Sequence, residues 1–370
     1  MTRLAFRNLF QSKARLLISV GGVALALLLI LSLDAVFTGM ERRVTAYIDQ
    51  SGADIFVSQA GVRNMHMAAS WLPAAVQAQV EAVPGVASAT PILYLANVVI
   101  AGGEQNFAYV IGLPAGAEAG GAWQISQGRG QPGPGETVID RGVADKAGLT
   151  LGDEVEILGR RFAVVGLSEG TASLVNSVAF IAAEDFTTLR GQDGVISFLL
   201  VKVEASQDAP TVAARIESDV EEVTALPRSE FARQERQVIK DMSTEVLAIM
   251  NLTGFLVGLA VMALTVYTAT LSRRAEYGVL KALGARNSHL YRAVLTQAFL
   301  SVGLGFSLGL GFALLLAVVA PYLSSTLTLA ISGSSLFKVG TLSLVIAGLS
   351  ALLPIRQIAG LDPAMVFRGQ

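Results

Sequence analysis

Few side chains in this 370-residue chain have the types and spacing that covalent chemistry requires. There is no cysteine, which removes thiolate nucleophiles, disulfides and thiolate metal sites, and with only His66 and His289 available most zinc sites are improbable. Paired carboxylates occur at Asp153-Glu154 and in the run Glu217 to Glu222. A calcium loop needs more regularly spaced oxygens and an acid–base dyad needs a pocket around it, so a solvated turn and a solvated helix face are the preferred readings. The glycine-rich stretch Gly112–Gly135 has the flavour of a phosphate loop but lacks a Gly-Lys-Ser/Thr ending, and no other segment supplies one. It reads as turn and linker. With no His-Glu-x-x-His either, the chain is expected to hold no catalytic, cofactor or metal site, and any nucleotide hydrolysis belongs to another polypeptide.

What remains is a mechanical candidate. Arg273-Arg-Ala-Glu-Tyr-Gly-Val-Leu-Lys-Ala-Leu-Gly-Ala-Arg286 is a charged amphipathic segment between two long apolar runs, the pattern of a helix lying at a membrane surface. Glu276 and Lys281 are five apart, one beyond the best intrahelical pairing, so an internal ion pair does not account for these charges.

The elements that must position this segment are membrane spans. The chain is 52% hydrophobic and 15% charged, against about 25% charged in soluble domains, with mean hydropathy +0.57. At about 1.5 Å per residue, residues 16–38 are long enough to cross a hydrocarbon core of roughly 30 Å. Further spans are expected at 246–271, 294–321 and 336–353, with a short outer loop at 322–335. Basic residues precede the first span (Arg3, Arg7, Lys13, Arg15), lie between the second and third (Arg273, Arg274, Lys281, Arg286, Arg292) and follow the fourth (Arg356, Arg368). The positive-inside bias therefore places the amphipathic terminus 1–15, the loop 272–292 and the terminus 354–370 in the cytoplasm. The first span reads as a retained signal anchor, its apolar run being too long for a cleaved leader.

Residues 39–240 then lie on the far side. Within 41–240 there are 24 acids and 15 bases, a balance of −9, while the rest carries 5 acids and 12 bases, a balance of +7. Strands are expected at Asp54–Val57, Ile92–Ile100, Phe107–Ile111, Glu154–Leu158, Arg161–Val165, Ser177–Ile181 and Val195–Val203, and helices at Pro73–Val83, Arg141–Ala147, Ala183–Leu189 and Ala209–Val220. The fold class is thus an α-helical integral membrane protein with four transmembrane helices and one large α+β extracytoplasmic domain between the first and second. Helical patterns over Met40–Ile48 and Phe231–Asn251 run without Pro or Gly from spans into this domain and read as stalks; helix ends capped by loops are the alternative.

In this setting the sequence resembles the MacB/FtsX-like, or type VII mechanotransmission, permeases of ABC transporters. The likeness covers nearly the whole chain: Leu4–Arg15, Gly52–Val57, Gly148–Gly166, and above all Arg274–Ala285 and Pro354–Phe367 in that order. It implies a homodimeric permease in a bacterial cytoplasmic (inner) membrane, docked on a separate ABC ATPase that holds ATP and magnesium, with an extracytoplasmic adaptor as a further partner and no nucleic acid. Its substrate would be an amphiphile: a lipid, lipoprotein, peptide or drug. A non-transporting signalling scaffold that activates an extracytoplasmic partner shares this architecture and stands as the alternative.

The resemblance makes 274–285 a coupling helix. Arg274, Glu276, Tyr277, Val279, Leu280, Lys281 and Leu283 are the expected ATPase-coupling residues, Glu276 and Tyr277 at its groove and Val279, Leu280 and Leu283 in an apolar pocket, with Gly284 ending the helix. In the third span Ser301, Gly305 and Gly309 recur every four residues, with Gly303, Ser307 and Gly311 alongside. Small residues let helices approach closely, and packing inside the subunit or across the homodimer fits equally well; Gly21-Gly22 is open in the same way. Asp34 near the outer end of the first span is an intramembrane polar residue, for which snorkelling to outer water is preferred over a substrate or proton role. Trp71 and Trp123 suit a core, a headgroup contact or a partner surface equally.

Overall fold

The computed structural model describes residues 13–67, 69–172, 177–191, 193–323 and 329–360. Most of the expected amphipathic start and all of the final ten residues, including half of Pro354–Phe367, fall outside these ranges. The chain divides into two compact units, one of residues 1–38, 243–322 and 329–370 and one of 39–242 with 323–328.

The first unit is helical. It is built from α1 (Lys13–Val44), the second half of α7 (Arg228–Leu271), α8 (Arg274–Ala282), α9 (Asn287–Leu323), α10 (Gly333–Ser350) and α11 (Leu352–Ala359). Four of its helices are long and apolar enough to cross a membrane. The helical segment at 274–282 is shorter than the loop assigned to it, because α9 already begins at Asn287. The fourth span begins at Gly333, capped by Ser332, whose hydroxyl accepts from Ser335 N–H, and bends at Ala351 into α11.

Lipid offers helices no hydrophobic reward for associating, so close van der Waals fit must do so. The helix α1 is held between α7 and α9 at glycines. A Cβ built on Gly305 would stand 2.8 Å from Val23 Cγ1, and one on Gly309 2.9 Å from the Ala24 carbonyl oxygen. On the other side, a Cβ on Gly22 would meet Val261 at 2.4 Å and one on Gly254 would meet Ile30 at 2.6 Å. Ser301 is buried on the same α9 face. The Ser301-Gly305-Gly309 strip, left open by the sequence, therefore packs inside the subunit. By contrast, Cβ atoms on Gly303, Gly311 and Gly21 would meet nothing within 4 Å.

The second unit is α+β. After the short helix α2 (Ala46–Gln50) come β1 (Ile55–Gln59), β2 (Leu72–Pro73), α3 (Ala75–Glu81), β3 (Val86–Ala101), β4 (Glu104–Leu113), β5 (Ile125–Gly128) and β6 (Glu136–Asp140). Then follow α4 (Arg141–Ala147), β7 (Glu154–Ile157), β8 (Arg160–Ser168), β9 (Ser177–Ala182), α5 (Ala183–Arg190), β10 (Val195–Ile196), β11 (Phe198–Val203), α6 (Ala209–Asp219) and β12 (Val223–Pro227). The main sheet runs β12-β1-β11-β3-β4-β9-β6-β8-β5, with β7 pairing β3 and β8, and β10 pairs only β2. Most pairs are antiparallel; β4/β9 and β6/β8 are parallel.

Three expectations change. The predicted strand Val195–Val203 is two strands broken at Ser197, whose hydroxyl accepts from Tyr94 N–H at 2.9 Å. The predicted strand at Ile92–Ile100 starts at Val86 despite Pro91. Tyr94 and Ile92 face β11, so Pro91 by alternation turns its missing N–H toward the β4 side, where pairing begins only at Leu93. The glycine-rich stretch is not wholly linker, since β5 lies within it and the central strand β6 follows at once. There Gly128 lies so close to β8 that a Cβ would stand 2.1 Å from the Val165 carbonyl oxygen, a contact only glycine permits.

Substituting Gly305→Leu or Gly309→Leu should lower the melting temperature of the detergent-solubilised protein by several degrees, as overpacking costs of about 1–3 kcal/mol imply. Gly303→Leu and Gly311→Leu should leave it unchanged. Equal loss in both pairs, measured by thermal unfolding, would remove the assignment of the packed strip to α1.

Candidate functional site

The amphipathic segment 274–285 is organised by what it buries. The side chain of Tyr277 is 4% exposed and packs with Val294, Leu290 and Ile358 in the apolar core of the helical unit, with Leu280 partly buried against the same cluster. Burial, reinforced by nearby Glu276, raises the Tyr277 hydroxyl above its ordinary range, with Arg273 opposing. The opposite face of α8 is open: Val279 is 42% and Leu283 79% exposed, and Arg274 and Glu276 are exposed with them. Glu276 lies 3.9 Å from Arg273.

Lys281 explains its own spacing. Its Nζ donates to the carbonyl oxygens of Ile358 at 2.9 Å and Ala359 at 3.2 Å, at the C-terminal end of α11, where the helix dipole favours a cation. Tyr267 on α7 accepts from Gln357 Nε2 at 3.0 Å, a second tie to α11. The helix α8 ends in a Schellman motif: Ala285 N–H donates to the Leu280 carbonyl and Gly284 N–H to the Lys281 carbonyl, with Gly284 at φ +89°. Of the seven side chains expected to meet the ATPase, the structure thus turns Tyr277, Leu280 and Lys281 inward as anchors, because two largely apolar side chains and one dipole-matched cation are better satisfied by the bundle than by water. Arg274, Glu276, Val279 and Leu283 remain outward.

Asp34 is neither bare nor snorkelling. Its carboxylate accepts from Lys338 Nζ at 2.7 Å and from the Ser335 hydroxyl, so it links α1 to α10. The N–H of Ala330 donates to the Ala35 carbonyl at 3.0 Å beside it.

The α+β unit contains a buried polar group that the sequence did not single out. Glu235, on the first half of α7, is fully buried. Its Oε2 accepts from Met65 N–H at 2.8 Å, and its Oε1 pairs with His66 Nδ1. The Tyr109 hydroxyl contacts the His66 ring, and the Tyr94 ring stands edge-on to Tyr109. Burial and the nearby Glu235 charge push the Tyr94 hydroxyl well up, and burial does the same to Tyr47. Phe56 stacks on Phe231 of α7 at 4.6 Å between centroids. A glutamate seven residues into a helix otherwise read as a stalk was the available signal; only the fold reveals its partner 169 residues earlier.

Asp153 accepts from Thr150 N–H at 2.7 Å and its hydroxyl at 2.9 Å, which holds its carboxyl below the usual range and makes it a turn anchor. Glu217 accepts from Ala225 N–H. Among the described residues no three His, Cys, Asp or Glu side chains cluster as a metal would require. Trp123 packs partly buried on the domain core, while Trp71 walls a cavity.

Residues 16–219 match the family described as MacB-like periplasmic core domain, and residues 248–363 match the FtsX-like permease C-terminal family. ABC transporter permeases of Mycobacterium tuberculosis and Methanocaldococcus jannaschii are each 23% identical, covering 99% of this chain and 99% and 97% of theirs. The macrolide export ATP-binding/permease protein MacB of a Shewanella species is 28% identical over 195 residues, 52% of this chain and 26% of that protein. The solved periplasmic region of MacB from Actinobacillus actinomycetemcomitans aligns with 50% of this chain and 94% of its own at a TM-score of 0.38 and 14% identity.

Replacing Glu235 by Ala leaves the Met65 N–H and the His66 ring without their acceptor, a loss of about 1–3 kcal/mol. Amide exchange at Met65 should quicken tenfold or more, since 1.4 kcal/mol is tenfold, with Glu235→Gln intermediate because its amide oxygen still accepts. Unchanged exchange by mass spectrometry would show that the buried carboxylate does not hold this loop.

Proposed function

From the premise that the chain belongs to the MacB/FtsX-like family of ABC transporter permeases, we propose that it is the permease subunit of a transporter whose separate ATPase drives movement of its outer domain and export or extraction of an amphiphilic substrate. Family membership implies the ATPase partner. In this reading the chain is a multi-pass protein of the bacterial inner membrane with both termini cytoplasmic, acts as a homodimer, and has its own substrate contacts but no nucleotide chemistry.

One observation carries the reading: α8 is anchored on one face and vacant on the other. The anchors Tyr277, Leu280 and Lys281 bind it to the helical bundle and to the end of α11, while Leu283, Val279, Glu276 and Arg274 form an exposed apolar and charged face. A lever needs this asymmetry. Force applied to the outer face is delivered to the bundle only if the inner face does not slip. Movement of the bundle would pass along α7, a single 44-residue helix of roughly 66 Å at 1.5 Å per residue. Its first half carries the buried Phe231, Ala232 and Glu235, and its second the buried Met262 and Val266. Mechanical coupling between two states needs a continuous connecting element of this kind.

The double substitution Glu276→Lys with Leu283→Asp should lower ATPase co-purification at least tenfold, since loss of a central apolar anchor costs about 2 kcal/mol or more. The melting temperature should stay the same. Tyr277→Ala should instead lower the melting temperature. Retained ATPase binding and amphiphile-stimulated hydrolysis in the double variant would end the coupling assignment. Stimulation by an extracytoplasmic protein and by no amphiphile would favour the signalling alternative.

A further inference from the structure

The sheet of the α+β unit is interrupted along one strand. The strand β11 pairs with β3 up to Ile92, and β7 takes up the same edge only at Val99, so residues 93–98 have a strand partner on the β4 side alone. Side chains seal part of this edge. Tyr94 N–H goes to Ser197 Oγ at 2.9 Å and Val98 N–H to Asn97 Oδ1 at 2.6 Å. Ala96 shares the edge by alternation, is exposed, and among the described residues has no such side-chain acceptor.

This edge is one wall of a cavity of about 210 Å³. Loop residues 65–67 and 69–71 and the last turn of α5 supply the others, with Leu93, Leu95, Met65 and Phe186 as apolar lining. Its cation is Arg190, whose guanidinium carbon stands 4.6 Å from the centre of the Trp71 ring. Among the described residues no carboxylate pairs with it. An aromatic face holds a cation in place for about 0.5–1 kcal/mol at an exposed site without cancelling its charge, so the guanidinium donors stay available for a planar anion.

We propose that this cavity binds the anionic end of an amphiphile, with a carboxylate or phosphate on Arg190 and the Ala96 edge and the first carbons against Leu93, Leu95, Met65 and Phe186. Volume sets what enters. The 210 Å³ of this cavity lies below the roughly 300–1,000 Å³ that encloses a drug-sized ligand. The cavity therefore takes a headgroup and a short stretch of chain, and the rest leaves past the exposed, deformable Met67. A peptide strand fits less well, because Ser197 and Asn97 already occupy the backbone donors it would need. The inference rests on the amphiphile reading only for its substrate class; the site itself is read from the cavity.

The test uses the full chain in zwitterionic nanodiscs with Trp123→Phe, so that Trp71 alone reports. Octanoate and octyl phosphate should each change Trp71 emission saturably, and their relative affinity separates carboxylate from phosphate sources. Octanol and octylammonium should bind at least tenfold more weakly. Arg190→Gln should weaken octanoate at least tenfold. Thr187→Glu, which sets a carboxylate one helical turn before Arg190, should do the same with an unchanged melting temperature. Equal affinity for octanol and octanoate, indifference to both substitutions, or no saturable change would overturn the site. Stimulation of the ATPase is measured separately: binding without stimulation leaves the cavity standing and counts against the transport reading alone.

Discussion

Close approach of helices at glycine governs the membrane part of this molecule. In hydrocarbon, burying a leucine against another helix gains little over leaving it in lipid, so the fold depends on backbones meeting where side chains are missing. The helix α1 is seated in this way on both sides, through Gly22 and Gly254 against α7 and through Gly305 and Gly309 against α9. The ion pair of Asp34 with Lys338 then ties α1 to α10. A helix fixed on three sides moves with its neighbours, and the remaining polar links at Lys281 and Gln357 bring α8 and α11 into the same body.

The charged residues of α8 acquire distinct roles from that body. A lysine with no partner at the right helical spacing is satisfied by carbonyls 77 and 78 residues away. A tyrosine that looks surface-exposed in an interfacial helix is one of its most buried side chains. What is left outside is a small patch, Arg274, Glu276, Val279 and Leu283, that combines charge with apolar area.

In the α+β unit the same economy appears as polar satisfaction. Burying Glu235 would be costly unless each oxygen found a donor, and Met65 N–H and His66 supply them. The result fixes the loop that forms one wall of the Trp71–Arg190 cavity. The gap in the β3 edge, partly sealed by Ser197 and Asn97, opens the other wall. Neither feature corresponds to a motif, because each is made of residues far apart in the chain.

Apolar run length, basic flanks and the break at Gly284 were local properties, and the sequence by itself determined from them that four helices can cross a membrane, that a mixed α+β domain lies between the first two, and that an amphipathic segment joins the second and third. Strand continuity was less legible. The break at Ser197 and the start of β3 before Pro91 follow from which neighbour each edge meets, and β6 was hidden beside glycines although fully surrounded by other strands. Only tertiary structure decided that Ser301, Gly305 and Gly309 share the α9 face packed on α1, that Tyr277, Leu280 and Lys281 point inward, that Asp34 has a cation, that Glu235 is buried against Met65 and His66, and that Arg190 lines a cavity. The reason is physical: a helix or strand pattern states which side chains share a face, and only the packed partner states whether that face meets a backbone, a carboxylate or open space.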